Sequence, residues 1–305
     1  MNKTERTLTE QRNLASTHLD SLSTLNMVRL FNQQDAHVPL AIAAVLPQIA
    51  QAADWFADTL RNDGRVFYQG AGTSGRLAVL DAAELLPTFG VGRDQVVALL
   101  AGGQDALTTS IEGAEDSTEQ GQRDLMQHGF SRHDMLIGIA ASGRTPYTLA
   151  GLTYAHEVGA QTVALVCNSN TPMSDVADLA IEALTGPEIL TGSTRLKAGT
   201  AQKLVLNTIS TCAMVKLGKV YGNLMVDVQP TNAKLQQRSI RIVMESTGIS
   251  ADTAEQLLNE ADWGVKTAVV MALADVDAIE AKLRLANHQG FVRQAIYEQA
   301  IKDNQ

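Results

Sequence analysis

Three short stretches of this sequence gather glycine with serine and threonine: GAGTSG at 70–75, ASGRT at 141–145 and TGSTR at 191–195. Each follows an apolar run or opens a helix-patterned segment. A helix N-terminus presents unpaired N–H groups and a partial positive charge, so such loops attract phosphate and other anions. Short hydroxyl side chains add further donors. Thr73 and Ser74, Ser142 and Thr145, and Ser193 and Thr194 are therefore the candidate ligand-binding residues. Arg144 could pair with a phosphate or a carboxylate. Taken singly, each loop could be an ordinary turn, since Gly and Ser are standard turn residues. Three of them together are harder to explain that way.

Gly70, Gly72 and Gly75 also satisfy the dinucleotide pattern GxGxxG, after a strand and before a helix. The ribose-binding acid, expected about 20 residues on at the end of the second strand, has only one candidate there, in AGGQD. That is Asp105, about 30 residues beyond the last glycine. A dinucleotide also gives the other two loops nothing to do. The six histidines form no HxxH or HExxH spacing, and there is no Cys/His cluster, so a metal is not implied, and no organic cofactor is expected either. GxxxxGK[ST] and GxSxG are both missing, which removes the P-loop and serine-hydrolase readings.

The loops need elements to hold them. RVFYQ, QVVALLAG, DMLIGIAAS, QTVALVCN and DLAIEAL read as five strands alternating with helices, which implies a parallel sheet with right-handed crossovers. RLAVLDAAEL reads as a helix stopped by Pro87, and ALTTSIEGAEDSTEQGQRDLMQ as one broken near Gly113. Ala198–Leu217 reads as a long helix of small residues, with Lys197 and Lys203 as surface charges. The remainder is patterned as helices, with Ser250, Asp252 and Asp275 as N-cap candidates. The expected fold is α/β, a doubly wound five-stranded parallel sheet of flavodoxin-like type. It is divided into an N-terminal helical segment (1–55), a ligand-binding domain (56–225) and a C-terminal helical region (226–305).

With 45% hydrophobic and only 4% aromatic residues, the chain suits helices packed on buried parallel strands. A net charge of −9 argues against nucleic acid. No apolar run is long enough for a membrane span, and the polar start MNKTERTLTEQRN is unlike a signal peptide, so a cytoplasmic location is expected. Cys167 and Cys212 are too few and too isolated for a disulfide framework.

Hydroxyl loops after the first and third strands resemble the sugar isomerase (SIS) domain. GAGTSGRL, AASGRTPY and GPEILTGSTRLKAGTAQKLVLN are similar to the N-acetylmuramic acid 6-phosphate etherase family. The likeness runs from TE-x-RN at Thr4–Asn13 to KLxxRxxRIV at Lys234–Val243, and departs from the family at ELLPTFG (84–90), where ECPPTFG is usual. The resemblance implies cleavage of the lactyl ether of a phosphosugar, and SIS-type domains commonly pair as homodimers. It places the two functional glutamates at Glu84 and Glu115, with Glu84 the proton donor. The apolar neighbours of Glu84 would favour its protonated form. Glu115, beside Glu112 and Asp116, could equally be part of a plain acidic face. Glu188 sits where related isomerase domains often carry a base and is a third carboxylate candidate. A phosphosugar aldose–ketose isomerase and a non-catalytic phosphosugar sensor are the alternatives.

Overall fold

The apolar runs form β1 (Val66–Gly70), β2 (Val96–Leu100), β3 (Met135–Ile139), β4 (Gln161–Val166) and β5 (Leu179–Glu182). All pair in parallel, in the order β2-β1-β3-β4-β5, as the alternating pattern implies. In this computed structural model, residues 7–302 are described apart from Gln229 and Thr231. Thr4, Glu5 and Arg6, at the start of the Thr4–Asn13 stretch, therefore lie outside the described residues, while the TE-x-RN residues Thr9–Asn13 lie within them.

Both faces of the sheet are covered. Helices α1 (Thr24–Asp35), α2 (Val38–Ala43) and α3 (Leu46–Arg61) precede β1. Ile49, Ala52, Ala53, Phe56, Ala57 and Leu60 make one buried stripe of α3, and the Phe56 and Tyr68 rings lie 6.3 Å apart. After β1 the chain forms α4 (Gly72–Phe89), α5 (Thr118–Gln127), α6 (Pro146–Glu157), α7 (Pro172–Val176) and α8 (Lys197–Lys216). Phe67, Leu136, Ala164 and Val166 share a core with Leu125, Leu152 and Met173 from α5, α6 and α7. The chain leaves β1 toward β2 on one side and continues through β3, β4 and β5 on the other. The carboxyl ends of β1 and β3, paired at Gly70 and Ile139, thus flank the switch point where open α/β sheets bind ligands.

The opposite end of these strands is pinned by charge. Asp134 accepts hydrogen bonds from the Arg65 amide (2.9 Å), Nε (3.1 Å) and Nη2 (2.8 Å), and from the Ser131 amide (2.8 Å). Burial alone would lift this carboxyl's pKa, but the Arg65 and Ser131 bonds and the Arg65 charge outweigh it and hold it below its ordinary value. Stability from this group is present above the unfolded value of about 3.9 and is lost as pH falls through the lowered folded value. Asp134→Asn is expected to lower urea-unfolding stability by about 2 kcal/mol at neutral pH. The difference from wild type should shrink in acid; a gap independent of pH would refute the charge argument.

Four local expectations are corrected. Helix α4 runs through Pro87 to Phe89, because buried Leu85 and Phe89 on either side of the proline hold the last turn in register. Residues 104–116 form only two short 3-10 turns, Gln104–Leu107 and Ala114–Asp116, each preceded by a glycine at positive φ, Gly103 and Gly113. Asp275 does not start a helix. It ends one in the left-handed conformation (φ 52°), and Asp277 caps the next. Lys197 is buried, not a surface charge.

The chain divides into two compact units. One comprises residues up to Ala83 with Arg93–Ser210; the other comprises Glu84–Gly92 with residues from Thr211 onward. This grouping differs from boundaries at 55 and 225: the N-terminal helices fall in one unit with the sheet, where α3 buries its apolar stripe. The second unit has an unexpected hairpin, β6 (Val220–Tyr221) and β7 (Leu224–Met225). It also holds α9 (Ala233–Thr247), α10 (Ala251–Glu260), α11 (Val265–Ala274), α12 (Ala278–Asn287) and α13 (Val292–Lys302). Val226, Val243, Leu258, Val269, Leu285 and Val292 belong to its core. No single helix among the described residues is long and apolar enough to cross a membrane.

Candidate active site

The switch point is a crevice of about 400 Å³, a size suited to a small ligand. Its walls include Thr73, Ser74, Glu115, Ser142, Arg144, Thr145 and Thr194, so all three hydroxyl loops contribute to one place. The loop after β1 is tight: a Cβ on Gly75 would lie 2.5 Å from the Gly70 carbonyl oxygen. Only glycine lets the start of α4 close onto the end of β1 and turn Thr73 and Ser74 inward. In the second loop, Gly143 has φ +66°, and a Cβ there would meet the Thr171 side chain at 2.4–2.6 Å. Thr145 precedes α6 without spending its hydroxyl on that helix. Ser142 Oγ accepts from the Arg144 amide at 3.2 Å, which leaves its O–H unspent. The Arg144 side chain is exposed and forms no ion pair among the described residues.

Glu115 follows Gly113, whose left-handed backbone (φ 73°) turns the chain into the short Ala114–Asp116 helix. The segment before it is held from α4. Arg76 Nε donates to the carbonyls of Ala106 (3.0 Å) and Leu107 (3.1 Å), and Nη2 to that of Thr109 (3.2 Å). Glu115 also lines a neighbouring cavity of about 300 Å³ together with Gly72, Arg76 and Glu112.

Three predicted residues are not among the crevice walls. Ser193 lies in the third loop, its amide bonded to the Leu190 carbonyl. Glu84 is exposed near the end of α4, without the apolar enclosure expected from its neighbours in sequence. Glu188 is fully buried. Its Oε2 accepts from the Lys197 amide (3.0 Å) and its Oε1 from the Ala198 amide (2.9 Å), so it caps α8. Burial raises its pKa against the pull of those amides and of Lys197. With one backbone amide bound to each oxygen, Glu188 holds the loop that carries Thr194 against the start of α8. Beside it, the Cys167 thiol is pushed up to about 12, first by burial and then by Glu188.

Glu10 and Asp116 were not singled out from sequence, yet both line the crevice. Glu10 is brought there by a strap. The Thr9 amide donates to Asn168 Oδ1 (3.2 Å), while Asn168 Nδ2 donates to Thr9 Oγ1 (3.0 Å) and the Ala141 carbonyl (2.8 Å). The only signal for Glu10 was its place inside the Thr4–Asn13 motif.

A doubly wound parallel sheet with hydroxyl-bearing loops at its central strand ends is an SIS-type domain. In agreement, the family described as "Glucokinase regulatory protein N-terminal SIS domain" matches residues 48–156, and "SIS domain" matches residues 117–211. The chain belongs to the N-acetylmuramic acid 6-phosphate etherase family. It is 53% identical over 291 residues to N-acetylmuramic acid 6-phosphate etherase 2 of Vibrio parahaemolyticus, covering 95% of this chain and 97% of that one. It is likewise 53% identical over 289 residues to the N-acetylmuramic acid 6-phosphate etherase of Salmonella agona, with the same coverage. Among solved structures, a phosphoheptose isomerase from Francisella tularensis shares the fold, with a TM-score of 0.50 at 20% identity over 64% of this chain and 100% of that one.

Proposed function

We propose that this protein cleaves the D-lactyl ether of N-acetylmuramic acid 6-phosphate, releasing D-lactate and N-acetylglucosamine 6-phosphate. The observation that carries the reading is the convergence of the three hydroxyl loops, Arg144 and Glu115 on one crevice, in a chain 53% identical to etherases over nearly its whole length. In the ring-opened sugar the C1 aldehyde acidifies C2–H. A base removes that proton, the C2–C3 double bond forms, and the C3–O bond breaks, its electron pair leaving with the lactyl oxygen, which takes up a proton. Water then adds at C3 and the proton returns to C2. Thr73, Ser74, Ser142, Thr145 and Thr194 serve as donors to the phosphoryl group. Arg144 faces the phosphoryl group or the lactyl carboxylate. Glu115 is an acid–base group at the crevice; Glu84, which is not among the crevice walls, is read as the proton donor to the leaving oxygen from the family motif alone.

Turnover in H₂¹⁸O tests the chemistry. The label is expected at C3 of the sugar and not in D-lactate. Label in the lactate would mean displacement at the lactyl carbon, and the absence of any lactate would favour an isomerase or a sensor.

The protein is further read as a cytoplasmic homodimer acting on a small phosphosugar, with neither nucleic acid nor membrane as partner. The net charge of −9 and the exposed Leu80 and Leu204 on α4 and α8 support this.

A further inference from the structure

Gln202, on α8, is 1% exposed, and its Oε1 lies 2.8 Å from Ser74 Oγ. In that orientation the Ser74 proton is spent on Gln202, and Gln202 Nε2 is a buried donor with no partner among the described residues. Exchanging the two ends of the amide moves no heavy atom appreciably. It places Nε2 against Ser74 Oγ and leaves a carbonyl oxygen as the unpaired atom, which proteins tolerate better than an orphaned N–H. It also releases the Ser74 O–H. Ser142, on the facing loop, already has this arrangement, with its Oγ accepting from a backbone amide.

We propose that Gln202 is a positioning residue: its Nε2 donates to Ser74 Oγ and so aims the Ser74 proton at the ligand's phosphoryl oxygens. The inference rests on the phosphosugar reading above and deepens it. Ser74 is 8% exposed and lines the crevice, whereas Gln202 does not, so Gln202 acts only through Ser74. A carboxylate in place of the amide is acceptor-only and would keep the Ser74 proton for itself. A charge-assisted hydrogen bond lost at the phosphoryl group corresponds to an affinity loss of about tenfold to a hundredfold.

The test is calorimetric titration of the full chain with N-acetylglucosamine 6-phosphate and with inorganic phosphate. Gln202→Glu is expected to weaken both at least about tenfold. It should raise KM for the phosphosugar while leaving kcat within about twofold, because only uniform binding is removed. Gln202→Met, which buries no charge, is expected to weaken binding several-fold and serves if the glutamate variant does not fold. In a Ser74→Ala background neither change should have any further effect, as expected for one residue acting through the other. Equal affinities for wild type and both variants, or losses that persist in the Ser74→Ala background, would overturn the role of Gln202. Failure of wild type itself to bind either probe would instead overturn the phosphosugar reading.

Discussion

Replacing Glu115 by glutamine is expected to leave N-acetylglucosamine 6-phosphate binding nearly intact while lowering D-lactate release by about 10²–10⁴-fold. Glutamine keeps the size and the hydrogen-bonding reach of the side chain but cannot exchange a proton. The backbone should not respond, because its course is set by Gly113 at φ 73° and by the three carbonyls that Arg76 holds upstream. The change should therefore appear in kcat, with KM little altered. A drop of less than about tenfold would remove Glu115 from proton transfer. Glu84→Gln is expected to lose turnover on the same scale, again with the phosphosugar still bound. For that residue the informative comparison is with the sensor reading, under which Glu84→Gln changes nothing measurable.

Gly75→Ala is expected to destabilise the fold by about 3 kcal/mol or more, a large part of the roughly 5–15 kcal/mol that a domain has. The added methyl would lie 2.5 Å from the Gly70 carbonyl oxygen and 2.4 Å from Leu100 Cδ1. The leucine could rotate away, but the carbonyl belongs to β1 and moves only with the sheet. Gly72→Ala is the matched control. Its Cβ meets nothing within 4 Å, so only its positive φ of 55° is strained, at a cost of about 1 kcal/mol. Urea unfolding of the two variants should separate them clearly. Similar losses would mean that the close approach at Gly75 relaxes.

Much of this architecture was legible in the sequence because parallel strands buried on both faces read as unbroken apolar runs. Phe67, Leu136 and Ala164 face one helical layer while Tyr68 packs toward the other, and all five strands were found. The hydroxyl loops were legible because three such clusters in one chain exceed what ordinary turns require, two of them close behind a strand. What sequence did not reveal depends on distant contacts. Glu188 is fully buried and caps α8 through two amides across an intervening loop, a contact that no local pattern announces. Glu10 reaches the crevice through Thr9 and Asn168, 159 positions apart. Glu84 has apolar neighbours along the chain, yet on a helix adjacent residues point to different sides, so they do not enclose it. The hairpin around Gly222-Asn223 did leave a signal, a short turn between two apolar pairs, outweighed by the helical pattern on either side.

The division of the chain also has a consequence for biosynthesis. Residues 84–92 are made early but belong with residues from Thr211 onward, while the sheet and its hydroxyl loops are complete once Ser210 has been made. Once Ser210 has left the ribosome, the α/β sheet can therefore be finished while the segment bearing Glu84 still awaits its companions. A nascent chain stalled far enough beyond Ser210 for that residue to have left the ribosome should already hold the hydroxyl loops in place, and the environment of Glu84 would be the last part of the molecule to mature.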